Sequence, residues 1–256
     1  MLKLIVLAVL QGIAEFLPIS SSGHLVIAKS ILHISEADAT VEIFLHFGTL
    51  IAILAFYRRK IFELIRPVFG LRFRDDSVKF VFLVLLASVP AGVVGVAWKD
   101  ELESLFSRSS LASAMLLLTA LVLFATYLSR RREGFRWNVF SSLAVGFAQA
   151  LAILPGLSRS GFTIAVALLL GAAPESAAEF SFILAIPALA GAMTLKTAEI
   201  ITQERHISPQ LILATIISAT IGYIALSALI PVLKRGKFWM FGIYCAALGI
   251  VGLIIM

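Results

Sequence analysis

The sequence predicts an all-α polytopic membrane protein built as an inverted repeat of two halves, each with one re-entrant helix-turn-helix hairpin plus three transmembrane helices. Composition is the first observation behind this. The 256 residues are 60% hydrophobic and 14% charged, with a mean hydropathy of +1.02, whereas a soluble domain is about 45–50% apolar and about 25% charged. The second is a set of apolar runs close to the length of about 20 residues that a helix needs to span a bilayer. The third is an internal repeat. Gln11 to His24 aligns without a gap on Gln149 to Phe162, 138 residues later, with Gln11/Gln149, Ala14/Ala152, Ser20/Ser158, Ser22/Ser160 and Gly23/Gly161 identical.

Six runs are long enough to cross, at about 41–57, 78–98, 110–128, 178–196, 210–231 and 237–256. The first is short and carries His46. Half-length runs at about 2–16, 22–33, 138–153 and 161–171 flank two Ser-rich turns, each holding a Pro and a Gly. Such a turn cannot face lipid, where its backbone groups would lack partners, so it must line a cavity or pack against protein. The half-length runs therefore read as two hairpins that dip into the membrane and return to the same side. An odd number of crossings separates them, so the second hairpin enters from the opposite face and the two turns can meet near the midplane. The whole chain, 1–256, reads as a single membrane domain, with its first repeat over 1–136 and its second over 137–256.

Charge gives an orientation. On the face where the first hairpin enters lie six basic residues, Lys3, Lys29, Lys99, Arg108, Lys196 and Arg205. The other face carries fourteen, from Arg58 to Lys79, from Arg130 to Arg136 and from Lys234 to Lys237. The positive-inside rule makes the richer face cytoplasmic. The first hairpin and both termini are then expected outside, in a multi-pass plasma-membrane protein. The net charge of +6 sits in short loops between apolar runs, so it does not suggest nucleic acid. For the Arg130–Arg132 run a topology signal is expected, with contact to anionic membrane lipids second. One cysteine, Cys245, excludes a disulfide framework and a Cys-based metal site. No cleavable signal peptide is read: neither a basic n-region nor an A-x-A site precedes the first turn. Walker-type and HExxH motifs are missing.

The turns would bring together Gln11, Glu15, Ser20, Ser21, Ser22 and His24 from the first hairpin with Gln149, Ser158, Arg159, Ser160 and Thr163 from the second. Arg159 is permanently charged and forks onto phosphate or carboxylate. An intramembrane Arg is a functional hypothesis by default, with a structural pairing to Glu15 as its alternative. Flanking hydroxyls suit a phosphate, and the segments after the turns begin with exposed N–H groups that favour anions. Glu15, Ser21 and His24 read as a hydrolytic set. Serine needs an adjacent base, histidine titrates near neutrality, and a carboxylate orients that base or holds a divalent cation. The competing reading is a Ser-rich helix cap beside a hydrogen-bonded His. Ser21 and His24 are spaced to meet if the turn runs into a helix.

Lower-ranking candidates read as structural. His46 is expected to pack with its ring hydrogen-bonded, although an inward face toward the site is open. Glu42 and Glu179 each begin a predicted span, where a carboxylate suits a helix N-terminus. His33 and His206 sit near loop ends and are expected to be solvated. The three Trp and many of the 19 Phe are expected to face lipid or the interface.

The stretches Gln11-x-x-x-Glu15-Phe16-Leu17-Pro18-Ile19-Ser20-Ser21-Ser22-Gly23-His24 and Pro155-Gly156-Leu157-Ser158-Arg159-Ser160-Gly161-Phe162-Thr163 resemble the two signatures of the undecaprenyl-diphosphate phosphatase family, also called bacitracin-resistance proteins. Ala178-Glu179-Phe180-Ser181-Phe182 is also similar to that family, and the resemblance covers essentially the whole chain. It implies the inverted-repeat fold and removal of one phosphate from a polyprenyl diphosphate, which recycles the lipid carrier of cell-wall or surface-glycan synthesis. By position it implies Ser21 as nucleophile, His24 as its acid or base partner, and Glu15 assisting directly or through a divalent cation, Mg2+ or Ca2+. Arg159 with Ser158 and Ser160 would hold the diphosphate, with Ser20, Ser22, Thr163 and Gln11 completing the binding set. Gln11 stands where many members have Glu, which weakens any two-carboxylate metal site. A cation held by Glu15 and diphosphate oxygens still fits, because Arg159 alone would not neutralise a diphosphate.

The rival from another class is a transporter or flippase, since inverted repeats with broken helices are a common transporter architecture. A nucleophile beside a base favours the enzyme, because a carrier needs neither. The expected partners are a polyprenyl diphosphate and membrane lipids, and a homodimer is left open.

Overall fold

The computed structural model describes residues 1–32, 39–70, 75–106, 108–202 and 208–255. The expectations for His33 and His206, and the charges at Arg72, Arg74 and Arg205, lie outside the described residues. Among them the secondary structure is entirely helical. The helices are α1 Leu2–Phe16, α2 Ser21–Leu32, α3 Ala39–Phe56, α4 Arg58–Phe69, α5 Asp76–Ala97, α6 Lys99–Leu105, α7 Ser109–Ala125, α8 Val139–Leu151, α9 Arg159–Leu169, α10 Pro174–Thr202, α11 Pro209–Lys234 and α12 Phe241–Ile255.

Among the described residues, five helical segments are long and apolar enough to cross a membrane: Asp76–Ala97, Ser109–Leu128, Pro174–Thr194, Pro209–Lys234 and Phe238–Ile255. The remaining expected span, at about 41–57, ends in a sharp bend. Thr40–Phe56 passes into Arg58–Phe69 through a bend of 76°. The sequence of α4 explains the bend. Arg59, Glu63 and Arg66 share one face of the helix, Leu64 is buried in the core, and Phe62, Ile65 and Phe69 are exposed. A helix with separate polar, core and lipid-facing strips is suited to lie along a membrane surface. The first span of the second half starts four residues before its expected position, because Pro174 opens α10; a proline's missing N–H has no helical partner to lose at that point. Glu179 therefore lies past the first turn and pairs with Lys60 of α4 at 3.1 Å, while Glu42 does sit in the first turn of α3 and pairs with Lys29 of α2.

Small residues let these helices approach closely, the usual device where lipid supplies no hydrophobic drive between spans. A Cβ on Gly48 would stand 2.4 Å from the Thr215 carbonyl oxygen, and one on Gly146 would stand 2.4 Å from that of Ala87. These contacts seat α3 on α11 and α8 on α5. Hydroxyls stitch the first seam: Thr215 Oγ1 donates to the Phe44 carbonyl at 3.0 Å and Ser218 Oγ to that of Leu45 at 2.9 Å.

The aromatic expectation holds for part of the set. Trp98, Phe62, Phe82 and Phe140 are exposed, but Phe16, Phe162, Phe180, Phe182 and Phe238 are buried. Trp137 stacks on Phe180 with centroids 3.9 Å apart and donates to Ser176 Oγ at 2.9 Å. Interhelical packing has claimed these rings.

The two short hairpins, α1–α2 and α8–α9, form as their sequences dictate. Pro18 pushes the preceding residue out of the helical region; Leu17 has φ −66° and ψ 146°, and α1 stops at Phe16. Ser20 then takes a left-handed φ of 69°, and its hydroxyl accepts the Gly23 N–H at 3.1 Å, capping α2. In the second hairpin Ser158 caps α9 in the same way, accepting the Gly161 N–H at 3.1 Å. Gly156 precedes it with φ +93°, and a Cβ there would lie 2.1 Å from the Ala112 carbonyl oxygen.

Candidate active site

The two turns meet, and matched positions make matched contacts. Ser22 Oγ accepts the Gly156 N–H of the other turn at 3.4 Å, and Ser160 Oγ donates to the Leu17 carbonyl at 3.2 Å. A Cβ on Gly23 would stand 3.1 Å from Gly156 Cα, so the turns touch backbone to backbone there. Within each turn the paired hydroxyls are close, Ser20 to Ser22 at 3.2 Å and Ser158 to Ser160 at 3.3 Å. Thr119 of α7 fastens the second turn, donating to the Gly156 carbonyl at 3.0 Å and accepting the Ser158 N–H at 3.1 Å. Both helix N-termini, of α2 and α9, thus open onto one place.

Glu15 is the hub of that place and is 6% exposed. Its Oε1 pairs with Arg159 Nη2 from the opposite hairpin. Its Oε2 accepts Ser21 Oγ at 2.6 Å and Gln11 Nε2 at 3.0 Å. His46 Nε2 lies 4.0 Å from the same oxygen, and its Nδ1 is 3.3 Å from Gln11 Nε2 and 3.0 Å from the Glu42 carbonyl. A buried carboxylate survives only with such company. Arg159 Nη1 and Gln11 Oε1 are buried and find no hydrogen-bond partner within the protein. One edge of the guanidinium is therefore spent on Glu15 and the other keeps a donor without a partner.

The expected approach of Ser21 to His24 is not what the structure forms. The turn does run into a helix, but the Ser21 hydroxyl reaches back one helix to Glu15. His24 is held elsewhere: Nδ1 to the Ser20 carbonyl at 2.8 Å and Nε2 to Tyr244 Oη of α12 at 2.7 Å. The physical reason is direction. The Ser20 carbonyl, one helical turn before His24, takes the near ring nitrogen, and the far one meets Tyr244. Thr163 Oγ1 donates to the Arg159 carbonyl at 2.7 Å and lies 2.6 Å from Ser181 Oγ, so it braces α9 against α10. Gln149, the match of Gln11, is buried, and neither of its amide atoms has a hydrogen-bond partner within the protein.

Reading the sequence missed Tyr244, Thr119 and Ser181, and ranked His46 as packing. An imidazole inside a span was signal enough to rank His46 higher. Tyr244 had none, since it sits in an apolar run with nothing around it to mark chemistry. Among the described residues, no cluster of three His, Cys, Asp or Glu side chains could hold a metal ion.

Fold and site together define a polytopic helical membrane protein whose polar centre is walled by two short helical hairpins. The chain belongs to the family described as Bacitracin resistance protein BacA, whose pattern matches residues 4–251. It is 36% identical over 269 residues to a protein of Desulfatibacillum aliphaticivorans named undecaprenyl-diphosphatase, covering 97% of this chain and 96% of that one. A protein of the same name from Halothermothrix orenii is 36% identical over 99% of this chain and 97% of its own. Another from Moorella thermoacetica is 37% identical over 94% and 92%.

Proposed function

We propose that this protein is an integral membrane undecaprenyl-diphosphate phosphatase that hydrolyses the lipid diphosphate to the monophosphate and inorganic phosphate. The observation that carries this is a hydroxyl aimed into a charged, buried centre. Ser21 donates to Glu15 at 2.6 Å while Arg159 holds the other carboxylate oxygen and keeps its Nη1 unpartnered. The names of the full-length relatives support the same reading.

In this reading the diphosphate lies across the α2 and α9 N-termini, where first-turn N–H groups favour anions. Arg159 holds it through the free edge. Ser20, Ser22, Ser158 and Ser160 line the turns beneath it, with Gln11 and Thr163 fixing Glu15 and α9 from behind. Ser21 Oγ attacks the terminal phosphorus and Glu15 takes its proton. The bond from that phosphorus to the bridging oxygen breaks, and the polyprenyl monophosphate leaves with the electron pair. Water then attacks the phosphoserine, giving inorganic phosphate and free Ser21. His24 is the second acid–base group, acting in the water step.

A divalent cation, Mg2+ or Ca2+, fits as a companion of the substrate rather than as a resident. Glu15 is the one carboxylate at the centre, its oxygens already carry three donors, and no three-ligand cluster stands nearby among the described residues. Such an ion would neutralise phosphate charge.

The inverted repeat, 1–136 against 137–256, is supported by the exchanged contacts Ser22–Gly156 and Ser160–Leu17 and by the two serine caps. The site is read as opening outward from the cytoplasmic membrane, with both termini outside, on the basis of the basic-residue asymmetry.

The test is phosphate release from a polyprenyl diphosphate by purified protein in detergent, with Ser21→Ala alongside. The parent is expected to release phosphate, and Ser21→Ala to be nearly inactive while still binding substrate, with trapped phosphate on Ser21 in the parent. A largely active Ser21→Ala with no phosphoprotein would move the nucleophile to water or His24. A parent that releases nothing would end the phosphatase reading.

A further inference from the structure

We propose that Tyr244 is a positioning residue for His24, holding in place an imidazole that carries its proton on Nδ1 and accepts a hydrogen bond at Nε2. The proposal rests on the reading of His24 as an acid–base group of the phosphatase site.

The tautomer follows from the partners. A carbonyl oxygen only accepts, so the contact of 2.8 Å to Ser20 requires the hydrogen on Nδ1. In a neutral ring Nε2 then accepts, and Tyr244 Oη, 2.7 Å away, is a hydroxyl able to donate to it. The two rings also lie parallel, with centroids 5.6 Å apart and an interplanar angle of 6°. Ser20 thus holds the proton on Nδ1, while Tyr244 takes the lone pair on Nε2 and fixes the plane of the ring. His24 is 7% exposed and Tyr244 is 46% exposed, so the tyrosine forms the outer member of the pair.

The bond can also reverse. When His24 gains a proton, Nε2 becomes a donor and Tyr244 Oη can accept, which frees the phenol hydrogen. The ring keeps its place through both protonation states, as a group that takes and returns a proton requires. Tyr244 reaches His24 across 220 residues of sequence, from a helix seated on α7 through Gly242 and Gly249. A packing role alone would need the ring and not the hydroxyl.

Tyr244→Phe separates these. It keeps the stacked ring and removes the donor. The thermal midpoint in detergent is expected to stay with the parent, which shows that the variant folds. The turnover number is expected to fall about tenfold, the scale of one hydrogen bond made or lost, with KM changed less than twofold. Tyr244→Ala, losing ring and hydroxyl, should fall further. Nitrogen-15 spectra of histidine-labelled protein, with His24→Gln to assign the signal, read the tautomer directly and without any substrate. The parent should show an Nδ1–H form at His24 whose Nε2 signal carries the shift of a hydrogen-bonded acceptor, and Tyr244→Phe should lose that Nε2 shift. If the phosphatase reading fails, the parent is inactive while the tautomer result stands. A Tyr244→Phe protein with parental turnover, or with an unchanged His24 spectrum, overturns the proposal.

Discussion

Glu15 is one negative charge shared among donors from three helices. Arg159 offers it one edge of a planar fork, and the other edge has no partner within the protein. A lysine in its place would keep the charge but could not serve carboxylate and phosphate together. Arg159→Lys is therefore expected to lose about 10²-fold in kcat/KM, on the scale of removing one preorganised donor from a transition state. Steady-state kinetics in detergent checks this, and parental kinetics in the variant would rule out bidentate recognition. The cation makes a second prediction at this scale. If the ion arrives with the diphosphate, chelation should abolish most turnover and leave the thermal midpoint of the substrate-free protein unchanged. A midpoint that drops on chelation alone would point to a resident ion.

At the scale of elements, the hairpins depend on their caps. Asn138 opens α8 with a capping box, its side chain accepting the Ser141 N–H at 3.0 Å while Ser141 Oγ accepts the Asn138 N–H at 3.0 Å. Asn138→Ala should cost about 1 kcal/mol of stability, read as a lower thermal midpoint. Turnover should stay near parental, because α8 supplies no group to the Glu15 cluster. The capping serines Ser20 and Ser158 differ in kind, since each sits in a turn that also touches the opposite hairpin. The bend between α3 and α4 is a further element-level device. Leu64 anchors α4 to the core, and the pairing of Lys60 with Glu179 ties it to α10, so the polar face of α4 stays at the surface.

For the whole molecule, orientation is the open prediction. A Cys placed at Arg131 should resist a membrane-impermeant label in intact cells and react after permeabilisation, while one placed at Lys3 should label from outside. Ready labelling at Arg131 in intact cells would invert the proposed topology. The two hairpins would then open to faces opposite to those assigned, and the site would draw its substrate from the cytoplasmic leaflet.

While the bend between α3 and α4 came only with the structure, the sequence alone determined the class, the long spans and the breaks at the two Ser-rich turns. These are local properties: apolar length sets a span, a proline stops α1 at Phe16, and a serine three residues before a glycine caps α2 and α9. It also picked out Glu15, Ser21 and Arg159, because charge and hydroxyls inside an apolar chain mark themselves. The partner of each group was decided by tertiary structure. Ser21 turned to Glu15 rather than His24, His46 came to Glu15 from a helix that had looked like packing, and His24 found Tyr244 220 residues away. Hydrogen-bond direction depends on how helices are seated against one another. That seating was set by contacts such as Gly48 on Thr215 and Gly23 on Gly156, which no spacing within a single helix encodes.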